Sequence, residues 1–257
     1  MKNQRKVALV TGSATGVGAA TCKQLAENGW NVVINYAKSK AEAEKTAKEC
    51  QQLGAEVLIC QADVANDDNC RSMVIQTIEK WGRLDALVNN AGTTKFCQYS
   101  DLEGLTKADF LNLYEINVVG AYQMTRAAVP HLKASLDGVI VNTSSVSAIS
   151  GVGSSIAYAA SKGALSTMTL SLAHALAPRV RVNAVCPGFI QGRWTQEFLG
   201  DKYEAVKEVI EKGTLLRQTA LPEDIADSIV FLIEKAKMMT GQILTVDGGK
   251  IINQSTF

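Results

Sequence analysis

From Gly138 to Pro178 the chain carries a single formal charge, Lys162. Where 20% of all residues are Asp, Glu, Lys or Arg, so long a neutral run cannot be a solvated surface. The run opens on Val139-Ile140-Val141, passes Ser144-Ser145 and crosses a loop, Ser150-Gly151-Val152-Gly153-Ser154-Ser155. It then enters a helix expected over 156–176. Ala159, Ala160, Ala164, Leu165, Met168, Leu170, Leu172 and Leu176 are spread around that helix with only small hydroxyls between them. A helix with no charged face has to be covered on every side. No apolar run reaches the ~20 residues of a membrane span. The expectation is therefore a helix packed on its own sheet inside and on another subunit outside.

Lys162 needs a reason to sit there, because a lone ammonium in mostly buried surroundings is costly unless paired or used. Tyr158 precedes it by one helical turn, so both side chains share a face. A cation so placed is expected to pull the phenol below its ordinary pKa of ~10. Ser145, at the exit of the preceding strand, could face the same spot. On these residues alone two readings stay open: a lysine that snorkels beside a tyrosine that packs, or a pair that handles protons.

Length and composition narrow the classes. The chain has 257 residues, ordinary for one α/β domain, and 47% of them are hydrophobic, enough for a sizeable core. A net charge of +1 without a basic cluster argues against nucleic acid as a partner. Met1 to Lys6 lead straight into an apolar strand without a signal-peptide pattern. Six cysteines (Cys22, Cys50, Cys60, Cys70, Cys97, Cys186) are scattered with no CxxC spacing, which favours reduced thiols in a cytoplasmic protein. His131 and His174 lie far apart on expected helices, so neither a histidine triad nor a His/Cys metal site is expected.

Short apolar runs alternate with helical patterns, as in a parallel sheet with crossover helices. Strands are expected at 7–10, 32–34, 57–59, 84–88, 139–141, 181–185 and 243–246. Helices are expected at 18–28, 39–53, 67–81 and 156–176, with a long one from a Thr106 cap to about Ser135; Asp109 completes a capping box. The fold class is α/β: a single doubly wound Rossmann-type domain over 1–257, a seven-stranded parallel sheet with helices on both faces, its ligands at the carboxyl ends of the strands.

The first strand runs into Thr11-Gly12-Ser13-Ala14-Thr15-Gly16-Val17-Gly18 and then a helix. Glycines there permit a tight turn and close backbone approach to a pyrophosphate, while the helix N-terminus offers free N–H groups. Plain turn chemistry is the other reading of three such glycines. Asp63 taken alone is equally a helix cap or turn residue, and Asn89-Asn90 could be turn formers. Asn117 in mid-helix is unfavourable and points to a functional or kink role.

The G-x-x-x-G-x-G spacing, Asn89-Asn90-Ala91-Gly92 and Tyr158-Ala159-Ala160-Ser161-Lys162 together resemble the short-chain dehydrogenase/reductase family over essentially the whole chain. Overall similarity is nearest the bacterial 3-oxoacyl-(acyl-carrier-protein) reductase type. The resemblance implies a catalytic tetrad of Asn117, Ser145, Tyr158 and Lys162. It implies cofactor contacts from Gly12, Ser13, Thr15, Gly16, Val17 and Gly18. Further contacts are implied from Asn35, Tyr36 and Lys38, from the adenine-holding pair Asp63-Val64, and from Asn90, Ala91 and Gly92. Tyr158 and Lys162 would join them, with Pro187, Gly188 and Ile190 beside the nicotinamide.

In that scheme Tyr158 exchanges the proton, Lys162 acidifies it and holds the ribose, Ser145 orients the carbonyl, and Asn117 fixes a relay water. No acidic residue stands in Asn35-Tyr36-Ala37-Lys38-Ser39 to bond a 2′-hydroxyl. Lys38, Ser13 and Ser39 could instead receive a 2′-phosphate, which favours NADP(H) over NAD(H). Where relatives often carry a threonine touching the carboxamide, Gly192 stands here, and a backbone group or Thr195 is left for that contact.

Residues 189–219, with Trp194, Phe198, Leu199, Tyr203, Leu215 and Leu216, read as an apolar lid with balanced charges; most of its aromatics are expected to pack it to the domain. A 3-oxoacyl thioester is one expected substrate, with Arg126, Lys133, Arg179 and Arg181 as candidate contacts to a carrier protein. A small secondary alcohol, sugar or ring ketone is the alternative. A non-catalytic NADP-sensing regulator would be expected to lose part of the tetrad. The resemblance also implies a homotetramer, built on the neutral helix, the long helix before it and the segment 241–249.

Overall fold

The computed structural model describes residues 5–253. Met1 to Gln4, where no signal-peptide pattern is expected, and residues 254–257 lie outside the described residues. Seven parallel strands form one sheet: β1 (Val7–Val10), β2 (Asn31–Tyr36), β3 (Val57–Gln61), β4 (Ala86–Asn89), β5 (Gly138–Thr143), β6 (Val180–Pro187) and β7 (Ile243–Val246). Their spatial order is β3-β2-β1-β4-β5-β6-β7, so the winding reverses between β1 and β4. Doubly wound sheets take their ligands in the crevice at the carboxyl ends of two such strands.

Alternate residues of each strand feed opposite faces. Ala8, Val10, Val32, Ile34, Val88 and Val141 pack against α1 (Gly16–Glu27), α2 (Lys40–Gln52) and α10 (Pro222–Glu234). Val7, Leu9, Val33, Leu87, Ile140 and Val182 pack against α3 (Asp67–Trp81), α5 (Ala121–Ala134) and α7 (Ile156–Leu176). With both faces covered, these strands are apolar runs rather than alternating ones. Among the described residues no helix is long and apolar enough to cross a membrane.

Several boundaries differ from expectation, each for a physical reason. β2 continues through Asn35, whose amide is fully bonded inside the sheet instead of ending the strand. The long helix splits into α4 (Lys107–Tyr114), a π-helical turn (Glu115–Gly120) and α5. Its start is as expected: the Thr106 hydroxyl accepts from the Asp109 amide and the Asp109 carboxylate accepts from the Thr106 amide. Short α6 (Ser147–Ser150) and α10 were not anticipated. Pro222 at the first helical position, Glu223 and Asp224 in the first turn and the Ile225, Ile229, Ile233 spacing were legible signals for α10.

Residues 189–219 hold α8 (Arg193–Leu199), a 3-10 turn (Gly200–Lys202) and α9 (Tyr203–Lys212). The excursion is pinned where it leaves and rejoins the domain by a parallel bridge between Ile190 and Ala220.

Candidate active site

The turn after β1 is built by three glycines with three different tasks. Gly12 has φ +60°, and a Cβ on it would stand 2.9 Å from the Ala91 Cα, so it admits the loop after β4. Gly18 lets α1 close on the turn, because a Cβ there would lie 2.6 Å from the Gly12 carbonyl. Gly16, at φ +58°, has no atom within 4 Å of that position and faces open space. α1 therefore starts beside an open surface, with no acidic residue in its first turn and no side-chain bond from Thr15. Amides so disposed attract an anion.

The turn is braced to its neighbours. The Thr11 hydroxyl accepts from the Asn90 and Ala91 amides, each at 3.0 Å. Asn90 Nδ2 donates to the carbonyls of Thr11 and Gly12. Asn35 Oδ1 accepts from the Gly12 amide at 2.9 Å, and its Nδ2 donates to the Ala62 carbonyl.

On the other side of the crevice, α7 delivers Tyr158 and Lys162. Ser155 caps that helix, accepting from the Tyr158 amide, which fixes where the first turn begins. Lys162 is only 5% exposed, and its Nζ lies 5.7 Å from the centre of the Tyr158 ring. It donates to the Thr143 carbonyl at 2.8 Å, at the end of β5. Two residues on, Ser145 accepts from the Ser147 amide and donates to the Ser147 hydroxyl, both at 3.1 Å.

Asn117, in the π-helical turn and 1% exposed, does not bond its own helix backbone through its side chain. Its Oδ1 accepts from the Thr93 amide at 2.8 Å, and its Nδ2 donates to the Thr93 carbonyl and the Ser161 hydroxyl, each at 3.0 Å. Gly92 lies between: a Cβ there would be 3.2 Å from Asn117 Oδ1 and 3.5 Å from Lys162 Nζ. The four tetrad candidates thus gather at the carboxyl ends of β4 and β5, beside the glycine turn.

Burial acts oppositely on the acid and the base, since it disfavours the charged form of each. It pushes the Tyr158 phenol up to about 12, with the Ser145 hydroxyl opposing. It brings the Lys162 ammonium down to about 8, against a small upward pull from Cys186. The expectation that Lys162 pulls the phenol below its ordinary value is corrected: desolvation dominates, and the ammonium is turned to the Thr143 carbonyl.

A family model described as enoyl-(acyl carrier protein) reductase matches residues 12–250. A protein of Streptomyces violaceoruber named as ketoacyl reductase 2 of the granaticin polyketide synthase is 42% identical over 95% of each chain. The chain belongs to the short-chain dehydrogenase/reductase family. The 3-oxoacyl-(acyl-carrier-protein) reductase of Staphylococcus aureus (strain Mu50) is 36% identical over 95% of this chain and 97% of its own. A crystal structure from Burkholderia xenovorans, named as a short-chain dehydrogenase/reductase, superposes with a TM-score of 0.91 at 38% identity, covering 98% of this chain and 100% of that one. As a member of this family, near its 3-oxoacyl reductase type, the protein is an NAD(P)-dependent oxidoreductase acting on a CH–OH group or the corresponding carbonyl. The open, acid-free start of α1 fits the pyrophosphate of such a cofactor.

Other expected cofactor residues are placed less directly. Ser13 is 0% exposed; its hydroxyl donates to the Val10 carbonyl at 2.6 Å and accepts from the Asn35 amide, so it has no room for a 2′-phosphate. Asn35, Tyr36 and Val64 are buried as well, Asn35 as a brace of the glycine turn. Lys38 is exposed and Ser39 half-buried at the carboxyl end of β2. Asp63 is exposed, with Oδ1 accepting from the Ala65 amide. The Pro187 carbonyl accepts from the Val146 amide, and Gly188 leaves room for Asp247. Thr195 turns its hydroxyl to the Ile190 and Gly192 carbonyls of its own segment.

Two of the four expected basic residues lie away from the entrance. Arg179 and Arg181 stand at the amino end of β6, the far side of the sheet, and Arg181 is spent on the carbonyls of Leu232, Ile233 and Ala236. Arg126 is paired with Asp67. Sequence reasoning missed Thr93, Ser161 and Thr143, whose partners lie far along the chain and leave no local signal.

Proposed function

We propose that this chain is an NADPH-dependent carbonyl reductase whose substrate is a 3-oxoacyl thioester, with Asn117, Ser145, Tyr158 and Lys162 as its working residues. The observation that carries this reading is Lys162, an ammonium sunk beside the Tyr158 ring at the strand ends and adjacent to an anion-ready helix start. The names of the relatives above support the substrate class.

A bound nicotinamide would supply the hydride and, once oxidised, a positive charge. Tyr158, neutral through the physiological range, donates its proton to the developing alkoxide. The Ser145 hydroxyl, turned from Ser147, donates to the same oxygen and holds the carbonyl for attack. Lys162, with its pKa brought to about 8, returns a proton to Tyr158 from the solvent side. Asn117 locks Thr93 and Ser161 around that path. The Ile190–Ala220 bridge supports a lid role for residues 189–219.

NADPH is favoured because no carboxylate stands at 35–39, while Lys38 is exposed there. A homotetramer is supported by apolar side chains left exposed: Leu111 on α4, Val119 on the π-helical turn, Tyr122 on α5 and Leu170 on α7. Unpaired cysteines favour the cytoplasm. The test follows NADPH and NADH consumption with acetoacetyl thioesters and a panel of small ketones, alongside mass determination in solution. Steady oxidation of NADPH by the thioester is expected; oxidation of NADH alone, or of neither cofactor with any carbonyl, overturns the reading.

A further inference from the structure

Three aromatic side chains that the proposed chemistry does not use meet between the loop after β4 and α8. Phe96 lies on the loop after β4, just beyond Gly92 and Thr93, and is half-buried. Trp194 and Phe198 lie one turn apart on one face of α8 and are 52% and 46% exposed. Phe96 and Phe198 stack with 10° between their planes, and Trp194 stands 6.1 Å from Phe96, tilted by 50°.

The two sides of this cluster are anchored differently. The Thr94 hydroxyl is hydrogen-bonded to that of Ser154, and the Cys97 amide donates to the Ser154 carbonyl at 2.9 Å. Ser154 immediately precedes the cap of α7, so Phe96 is held in a fixed relation to Tyr158. Trp194 and Phe198 ride on the excursion hinged at Ile190 and Ala220. A substrate entering between the loop after β4 and α8 would part these rings or lie between them.

We propose that Phe96, Trp194 and Phe198 form an aromatic slot that selects a 3-oxo substrate carrying a planar ring one methylene from the reacting carbonyl over one carrying an unbranched chain. The inference rests on the carbonyl-reductase reading and adds the shape of the group attached. Parting the rings gives up an aromatic contact; a flat ring entering between them restores it on both faces, whereas a flexible chain restores less and loses rotamer freedom as well. The lid adds no net charge that would favour an anionic tail: Arg193 is paired with Glu42 and Glu197, Lys207 with Glu211, and Lys212 with Glu208. One restored aromatic contact corresponds to a preference of about tenfold.

The experiment compares kcat/KM for two N-acetylcysteamine thioesters, 4-phenyl-3-oxobutanoyl and 3-oxooctanoyl, whose reacting carbonyls are electronically alike. The ring-bearing thioester is expected to win by about tenfold in the wild-type protein. In Phe96→Leu and Trp194→Leu that ratio is expected to fall to within about twofold, whatever happens to the individual rates. Trp194 is exposed on its helix, so its variant keeps the test standing if Phe96→Leu fails to fold. A ratio near one in the wild type, or a ratio that both variants preserve, overturns the slot while leaving the reductase reading intact. Failure of both thioesters and of every ketone to oxidise NADPH overturns the reductase reading and the slot with it.

Discussion

Lys162 Nζ donates to the main-chain carbonyl of Thr143, so the one charge of the neutral segment is tethered to the end of β5 and only secondarily placed beside Tyr158. Its position costs stability. With the folded pKa near 8 and the ordinary value at 10.5, the folded protein holds fewer protons than the unfolded chain between those values. Stability therefore rises with pH from about 8 to 10.5, and the full penalty applies below pH 8. Lys162→Met should abolish turnover yet stabilise the fold at pH 7 by ~3 kcal/mol. Thermal melts of both proteins from pH 7 to 10 check this: the gain should shrink as pH climbs, and a less stable variant at pH 7 would contradict the buried-charge account.

Tyr158→Phe removes the proposed proton donor without opening a cavity. Turnover should fall by about 10²- to 10⁴-fold while KM for the cofactor changes little. Because burial holds the phenol at about 12, wild-type reduction should show no alkaline loss attributable to Tyr158 ionisation up to pH 9. Rate–pH profiles settle it; a variant with near-normal turnover would assign the proton elsewhere.

Gly18→Ala and Gly16→Ala should separate two costs in one turn. The first forces a methyl onto the Gly12 carbonyl and the Ser13 Cα, and overpacking of that kind costs about 1–3 kcal/mol. The second meets no atom within 4 Å and carries only the left-handed backbone penalty, about 1–2 kcal/mol. Urea melts give the stabilities and dinucleotide titration the affinities. Both losses of affinity are expected, but only Gly18→Ala should also disturb the Asn90 contact that joins the turn to β4.

Arg193, at the start of α8, reaches Glu42 in the first turn of α2 at 2.5 Å. α2 follows β2 and α8 follows β6, so the pair crosses above the ends of β1, β4 and β5. An exposed ion pair of this sort adds little to stability. Arg193→Ala should leave Tm unchanged and speed cofactor release several-fold, as stopped-flow displacement would record. An unchanged release rate would mean that the excursion closes without this pair.

Much of the architecture was legible because its strands are covered on both faces and so read as plain apolar runs. The uncharged stretch around Lys162 pointed to the tetrad region for the same reason: burial excludes charge, and the exception is visible. What stayed hidden depended on partners distant in sequence. Ser13 looked like a phosphate ligand until its hydroxyl was found spent between Val10 and Asn35. Arg181 looked like a surface cation but binds the carbonyls at the end of α10. The sign of the Tyr158 shift could not be read from spacing either, since one helical turn fixes distance but not how much water remains.

The π-helical turn at Glu115–Gly120 has an implication for how this chain tolerates change in length. A looser coil there turns each residue through a smaller angle than an α-helix would, and Asn117 lies inside it with its carboxamide on Thr93. Losing one residue ahead of Asn117 would shorten the helix trivially yet carry the asparagine about 100° around the axis of α4. The count of residues in those two turns is thus as much a part of the site as the carboxamide itself, and alanine scanning would never reveal it.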